Sequence, residues 1–340
     1  MVRTYQAYLL LSLVLFTTVF GICAPTAFAA KLPIQLEAPR RTTPTPGLYK
    51  VRVEHGTRCT AAGTMQAYTL YIPDGDATLP QGPFPTAMLI HGFLMTGEQH
   101  RNNAMNLAEH GFIVITPNIS KWLWGDDKRM RNVADLTDAL AWITGRTGQL
   151  PDSIKGKVDD TRIGIAGNSS GGAVALELAL AAQAKNIPVH ALVSLDGVPW
   201  DRTADRVKDI TPFKLLTLRA EPCLCNYHAR MLRFLDHLNF PFDDVKVNGA
   251  HHCDLENPTT LGCYSVCGKS DNQHRMVFQN LLYLYLRDAL SAQRIGVETK
   301  SFATVVKEME AKDEVVARTD VRGSAFISAK PSSDGVESIK

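Results

Sequence analysis

No run of like charge marks this chain. Lysine and arginine number 36 against 34 aspartates and glutamates, a formal net charge of +2. The basic stripe that a nucleic-acid partner requires is missing, so none is expected. The cysteines include no C-x-x-C pair, which removes the commonest zinc and thioredoxin-like spacings. No internal repeat is visible, which excludes a solenoid or propeller. Apolar residues make up 45% and charged residues 21% of the 340 positions, ordinary values for one large α/β domain or two small ones.

The first thirty residues read as a signal peptide. Arg3 is the positive n-region, Tyr8 to Ile22 the apolar h-region, and Ala27-Phe28-Ala29 the cleavage signal. The apolar run is short for a membrane span, so no stable span is expected in the mature chain. A secreted or periplasmic location after cleavage near Ala29 follows. Residues 31–46 read as an extended leader, 47–295 as the main domain, and 296–340 as a C-terminal helix and tail, partly disordered.

Setting Cys23 aside leaves Cys59, Cys223, Cys225, Cys253, Cys263 and Cys267. An even set in an exported chain points to disulfides, and six cysteines allow fifteen pairings. Their clustering in the C-terminal half suggests staples on loops around a site. The competing reading is zinc held by His251, His252, Cys253, Asp254, Cys263 and Cys267.

The stretch from Ile163 to Leu180 carries the chemistry. It begins as an apolar, β-favouring run and ends as an Ala/Leu-rich helix. Between them Gly167-Asn168-Ser169-Ser170-Gly171 fits G-x-S-x-G, a sharp strand-to-helix turn that exposes a serine at its apex. Ser169 is the candidate nucleophile. Strands expected at 86–90, a continuous apolar run, and at 112–116, 189–195 and 213–219 alternate with helical patterns such as 103–110 and 135–143. That alternation is the signature of a parallel sheet covered on both faces. A helix is expected over 227–238, a short strand over 244–247 and a long helix over 273–290. Antiparallel strands are expected at 47–53 and 66–72.

Function on such a sheet collects at the C-terminal strand ends. Ser169, Asp196, Glu221 and His252 all fall there. A serine needs a base, and the base needs an orienting carboxylate, in the chain order Ser, Asp/Glu, His. His252 is the expected base, with adjacent His251 the alternate. Asp196 is the expected acid, since it follows a clean apolar strand and precedes Gly197; Glu221 is the alternate. The backbone N–H groups of Phe93 (or Leu94) and Ser170 are the expected oxyanion hole. His91, on the strand end before Gly92, reads as structural. Trp122, Trp124 and Trp200 are candidate walls of a substrate pocket.

With these residues in place the chain resembles the chlorophyllase-like branch of the α/β-hydrolases, over about residues 84 to 290. The likeness lies in Leu89-Ile-His-Gly-Phe93, Ala108-Glu-His-Gly-Phe-Ile-Val-Ile-Thr-Pro117, Gly167-Asn-Ser-Ser-Gly-Gly172 and Leu195-Asp196-Gly197. The chain is also similar to the cutinase and polyester-hydrolase group through Val198-Pro-Trp-Asp201 and Asn248-Gly-Ala-His-His252. The resemblance implies an α/β-hydrolase fold, a mostly parallel central sheet with helices on both faces. It implies carboxylic ester hydrolysis by a Ser-His-Asp triad without metal or organic cofactor, on a small-molecule, lipid or polymer ester. In the chlorophyllase-like branch the acid follows the strand after the elbow helix, which supports Asp196. In the cutinase group it would fall near Cys223, where this sequence has no carboxylate. Asn168 stands where histidine is usual, and Ser170 replaces a larger residue. The alternatives are a catalytically inactive binding module, and an acyltransferase or lipase using the same triad.

Overall fold

A computed structural model describes residues 47–119, 126–207, 210–211, 213–291 and 300–320. The expected signal peptide and leader (residues 1–46), Trp122, Trp124 and residues 321–340 lie outside the described residues. Among the described residues no helix is long and apolar enough to cross a membrane.

Nine strands form one sheet in the order β1-β2-β4-β3-β5-β6-β7-β8-β9. They are β1 Lys50–Cys59, β2 Met65–Asp74, β3 Phe84–Ile90, β4 Ile113–Pro117, β5 Val158–Asn168, β6 Val189–Leu195, β7 Lys214–Arg219, β8 Phe242–Val247 and β9 Val315–Asp320. The six strands β3 to β8 run parallel to one another, and β1, β2 and β9 pair antiparallel. The expected α/β-hydrolase architecture is the one found.

The helices are α1 Arg101–Glu109, α2 Asp126–Ile143, α3 Ser170–Ala184, α4 Asp201–Val207, α5 Met231–Leu235, α6 Leu261–Cys267, α7 Asn272–Ala289 and α8 Phe302–Glu310. Alternation along the buried strands sorts side chains into two cores. Met88, Ile90, Ile163 and Ile165 join Leu136 and Leu140 of α2 and Val174 and Leu178 of α3. Ala87, Leu89, Ala166 and Val193 join Leu107 of α1, Leu281 and Leu282 of α7, and Val306 of α8 on the other face. Gly111 follows α1 at φ 84°, the left-handed stop expected of it.

Three elements depart from expectation. The helix expected over 227–238 shrinks to Met231–Leu235, because Tyr227, His228 and Ala229 take positive φ. Helix α6 carries little apolar patterning; Thr260 caps it by accepting from Cys263 N at 3.1 Å. β9 pairs with β8, so the sheet extends past the 47–295 span.

Candidate active site

The elbow is a steric construction. A Cβ at Gly167 would stand 2.2 Å from the Gly171 carbonyl oxygen, and one at Gly171 would stand 2.4 Å from the His91 oxygen. Backbone lies where side chains would go, so only glycine fits. Ser169 itself sits at φ 53° and ψ −123°, a region that disfavours non-glycine residues. Strain of about 1–3 kcal/mol is typical of such positions, and it persists where the surroundings over-determine the backbone. Here they do. Ser169 N donates to Leu195 O at 3.0 Å, and Ser169 O accepts from Val198 N at 2.9 Å. The Ser169 turn is thus clasped to the end of β6 on either side of Asp196.

Gly172 and Gly197 complete the junction. A Cβ at Gly172 would lie 2.8 Å from Gly197 Cα, so the start of α3 packs glycine against glycine on the Asp196 turn. Asp196 is 1% exposed and takes φ 44°. Its Oδ2 accepts from His252 Nδ1 at 2.6 Å, and its Oδ1 from Ala220 N at 3.3 Å. With Nδ1 donating, neutral His252 keeps its lone pair on Nε2, as a base requires. The structure therefore joins Asp196 to His252 and ties the Asp196 strand end to Ser169.

The alternates stand elsewhere. Glu221 accepts from Lys246 Nζ at 2.7 Å and from Gly249 N at 3.1 Å. Desolvation would raise its pKa, but Lys246 and the Gly249 N–H outweigh it and hold the carboxyl low. The exposed His251 lies against Gly268, where a Cβ would be 2.3 Å from its ring, while its N–H donates to Asp254 Oδ2 at 2.7 Å.

On the β3 side, a Cβ at Gly92 would come within 3.3 Å of Ser169 Cβ, which brings this loop against Ser169. Phe93 follows directly, and Leu94 is 57% exposed at φ 59°. Ser170 opens α3, where an N–H has no acceptor one turn back in its own helix. His91 is fully buried; its Nδ1 faces Gly92 O at 2.9 Å and its Nε2 accepts from Ile119 N at 3.0 Å. That is the structural role expected. Trp200 lies under the Arg129 guanidinium, 3.9 Å from ring centre to Cζ.

Two disulfides converge beside the site. Cys225 bonds to Cys267 and Cys253 to Cys263, while Cys59 and Cys223 are free. The six-cysteine set is thus paired at four positions. The sulfurs of Cys253, Cys263 and Cys267 lie within 4.8 Å of one another, but disulfide bonds engage all three.

Sequence reasoning missed several residues here. Asp254, considered as a ligand, anchors the His252 turn: its Oδ1 accepts from Ser270 Oγ at 2.8 Å and Asp271 N at 2.6 Å. Asn226 donates to Asp196 Oδ2 at 3.0 Å. Glu256 is fully buried four residues after His252, and its Oε1 has no hydrogen-bond partner among the described residues. Burial pushes its carboxyl up to about 7, against the Thr260 N–H and the charges of His252 and Arg275. His100, also fully buried, is driven down to about 4 by desolvation. No local pattern distinguishes these residues from ordinary loop polar groups.

Residues 50–223 match the model of the family described as Chlorophyllase. Chlorophyllase-2 of Arabidopsis thaliana is 26% identical over 121 residues, 35% of this chain and 37% of that protein. The bis(hydroxyethyl) terephthalate hydrolase of Streptomyces coelicolor is 32% identical over 111 residues, 33% of this chain and 32% of that protein. The chain thus spans about a third of the length of these curated relatives.

Proposed function

The chain belongs to the chlorophyllase family of α/β-hydrolases, and on that premise we propose that it is an exported serine esterase using Ser169, His252 and Asp196. Ester hydrolysis is the activity carried by the names of both relatives' enzyme classes; the triad and the export are proposed from this chain's own residues. The observation that carries the reading is the 2.6 Å contact of His252 Nδ1 with buried Asp196, on a strand end hydrogen-bonded to Ser169.

In the proposed cycle His252 Nε2 takes the Ser169 proton as Oγ adds to the ester carbonyl. Asp196 holds the ring and offsets the imidazolium charge. The N–H groups of Phe93 and Ser170 receive the oxyanion, an interaction worth about 3 kcal/mol in such sites. His252 then passes the proton to the leaving alcohol, and water releases the acyl group by the same steps in reverse. Serine, histidine and aspartate supply nucleophile, base and orienting charge between them, so the cycle calls on no metal or organic cofactor. Trp200 would wall the acyl side. Two disulfides agree with an oxidising compartment. The proposed signal peptide, residues 1–30, would deliver the protein there.

The test is hydrolysis of p-nitrophenyl esters from C2 to C16, and of bis(hydroxyethyl) terephthalate, by the mature protein and by Ser169→Ala. Activity confined to the wild type, with fluorophosphonate labelling of Ser169, is the expected result. A wild type that neither hydrolyses nor labels would sink the esterase reading and leave a binding module. Product esters formed in the presence of added alcohol would instead mark an acyltransferase.

A further inference from the structure

Tyr227, His228 and Ala229 lie consecutively in the left-handed region, at φ 49°, 55° and 59°. Each such residue costs about 1–2 kcal/mol, so three in succession need a compensating structure. Asn226 stands at its head. Its Oδ1 accepts from Cys223 N and Ala229 N, both at 2.9 Å. Its Nδ2 donates to Glu221 O at 2.9 Å and to Asp196 Oδ2 at 3.0 Å. An amide has two N–H bonds and two lone pairs, and all four are engaged. The side chain is buried, with 1% exposure for the residue.

The oxygen that receives Asn226 is the one that receives His252 Nδ1. Without the amide, Asp196 keeps His252 and the longer contact from Ala220 N. Covalent bonds hold this arrangement from behind. Cys225, adjacent to Asn226, is bonded to Cys267; Cys253, adjacent to His252, is bonded to Cys263. Both partners lie on α6. One short helix therefore registers the Asn226 loop against the His252 turn.

We propose that Asn226 is a positioning residue, whose side-chain amide fixes the Asp196 carboxylate for His252 and whose place is held by the 227–229 turn and the Cys225–Cys267 bridge. This rests on the Ser169–His252–Asp196 reading above.

The diagnostic variant is Asn226→Asp, which preserves the shape. While protonated, the introduced carboxyl donates to Asp196 as the amide does. Once ionised it donates nothing and sets a second negative charge against Asp196. Of the charged residues bonded to this loop, Glu221 pairs with Lys246 at 2.7 Å and Arg230 with Asp201, and both pairs are unchanged in the variant. For a soluble p-nitrophenyl ester we expect kcat at pH 8 to fall about 100-fold, with KM within about two-fold. The deficit relative to wild type should narrow as the pH is lowered.

A wild-type pH profile, or a deficit equal at every pH, would overturn the proposal. Should Asn226→Asp not fold by circular dichroism, the Cys225→Ser/Cys267→Ser pair takes its place. That pair should lower kcat at unchanged KM, and an unaltered kcat again rejects the proposal. Asp196→Asn is measured alongside. If it retains full activity the triad reading itself is wrong; if it loses activity while Asn226→Asp behaves as wild type, only the role of Asn226 falls.

Discussion

The elbow and the proposed relay of Asp196 and His252 are built on different principles. The elbow spans Gly167 to Gly172, and its geometry comes from close approach of backbone to backbone. The relay joins residues far apart in the chain: Asp196 and His252 are 56 positions apart, Asn226 and Asp196 are 30, and Cys225 and Cys267 are 42. The first is rigid because nothing larger than hydrogen fits. The second is rigid because buried polar atoms must find partners, and disulfides limit where those partners can be. The elbow should therefore fail abruptly under small steric insults, and the relay by degrees as donors are removed.

The largest effect should come from Gly171→Ala. Its Cβ would stand 2.4 Å from the His91 oxygen and 2.6 Å from the Ile90 oxygen, both backbone atoms. We expect no fluorophosphonate labelling and a stability loss of about 3 kcal/mol or more in denaturant unfolding. A variant that labels at the wild-type rate would show that the elbow yields, and the contrast with the relay would dissolve.

Next comes the relay itself. Asp196→Asn offers His252 an amide instead of a carboxylate and disturbs the tautomer that leaves Nε2 free. By analogy with other Ser-His-Asp enzymes kcat should drop about 10⁴-fold while the fold is kept. Glu221→Gln, at a side chain that accepts from Lys246 and Gly249, should stay within about two-fold. Steady-state kinetics of the two variants decides between the carboxylates; equal losses would put the acid in question.

The smallest effect is on stability and depends on pH. Glu256 has its carboxyl raised to about 7 in the folded protein, above the ordinary 4.5. The unfolded chain loses this proton first, so the contribution is full below about pH 4.5 and is lost as pH rises through about 7. Glu256→Gln should thus match the wild type near pH 4 and exceed it above pH 7, by up to about 3 kcal/mol. His100 works in the opposite sense. Its depressed value of about 4 means stability present above 6.5 and lost as pH falls toward 4. Melting temperatures across pH 4 to 9 read both, and a Glu256→Gln curve parallel to wild type would show that the buried carboxyl is harmless.

Much of the elbow was legible from residue order, since the motif, the strand before it and the helix after it are neighbours in sequence. Asp196 was legible for a related reason: an apolar strand ending in Asp-Gly marks a strand end. Tyr227–Leu238 misled because its apolar spacing suits a helix, while Asn226 holds the three residues that follow it, 227–229, in a left-handed turn. Helix α6 exposes most of its residues and is tied down by disulfides, so its pattern carries no helical signal. β9 is a half-exposed edge strand in a charged segment, stabilised by pairing with β8 rather than by its own composition.

The sequence by itself determined the parallel sheet, the serine at the elbow and the chain order of Ser169, Asp196 and His252. These follow from local sterics and from apolar periodicity, which act between near neighbours. Only the tertiary structure set His252 rather than His251 against Asp196, paired Glu221 with Lys246, and selected among the cysteine pairings. Those choices turn on which way a side chain leaves its loop, and that is set by hydrogen bonds to residues dozens of positions away.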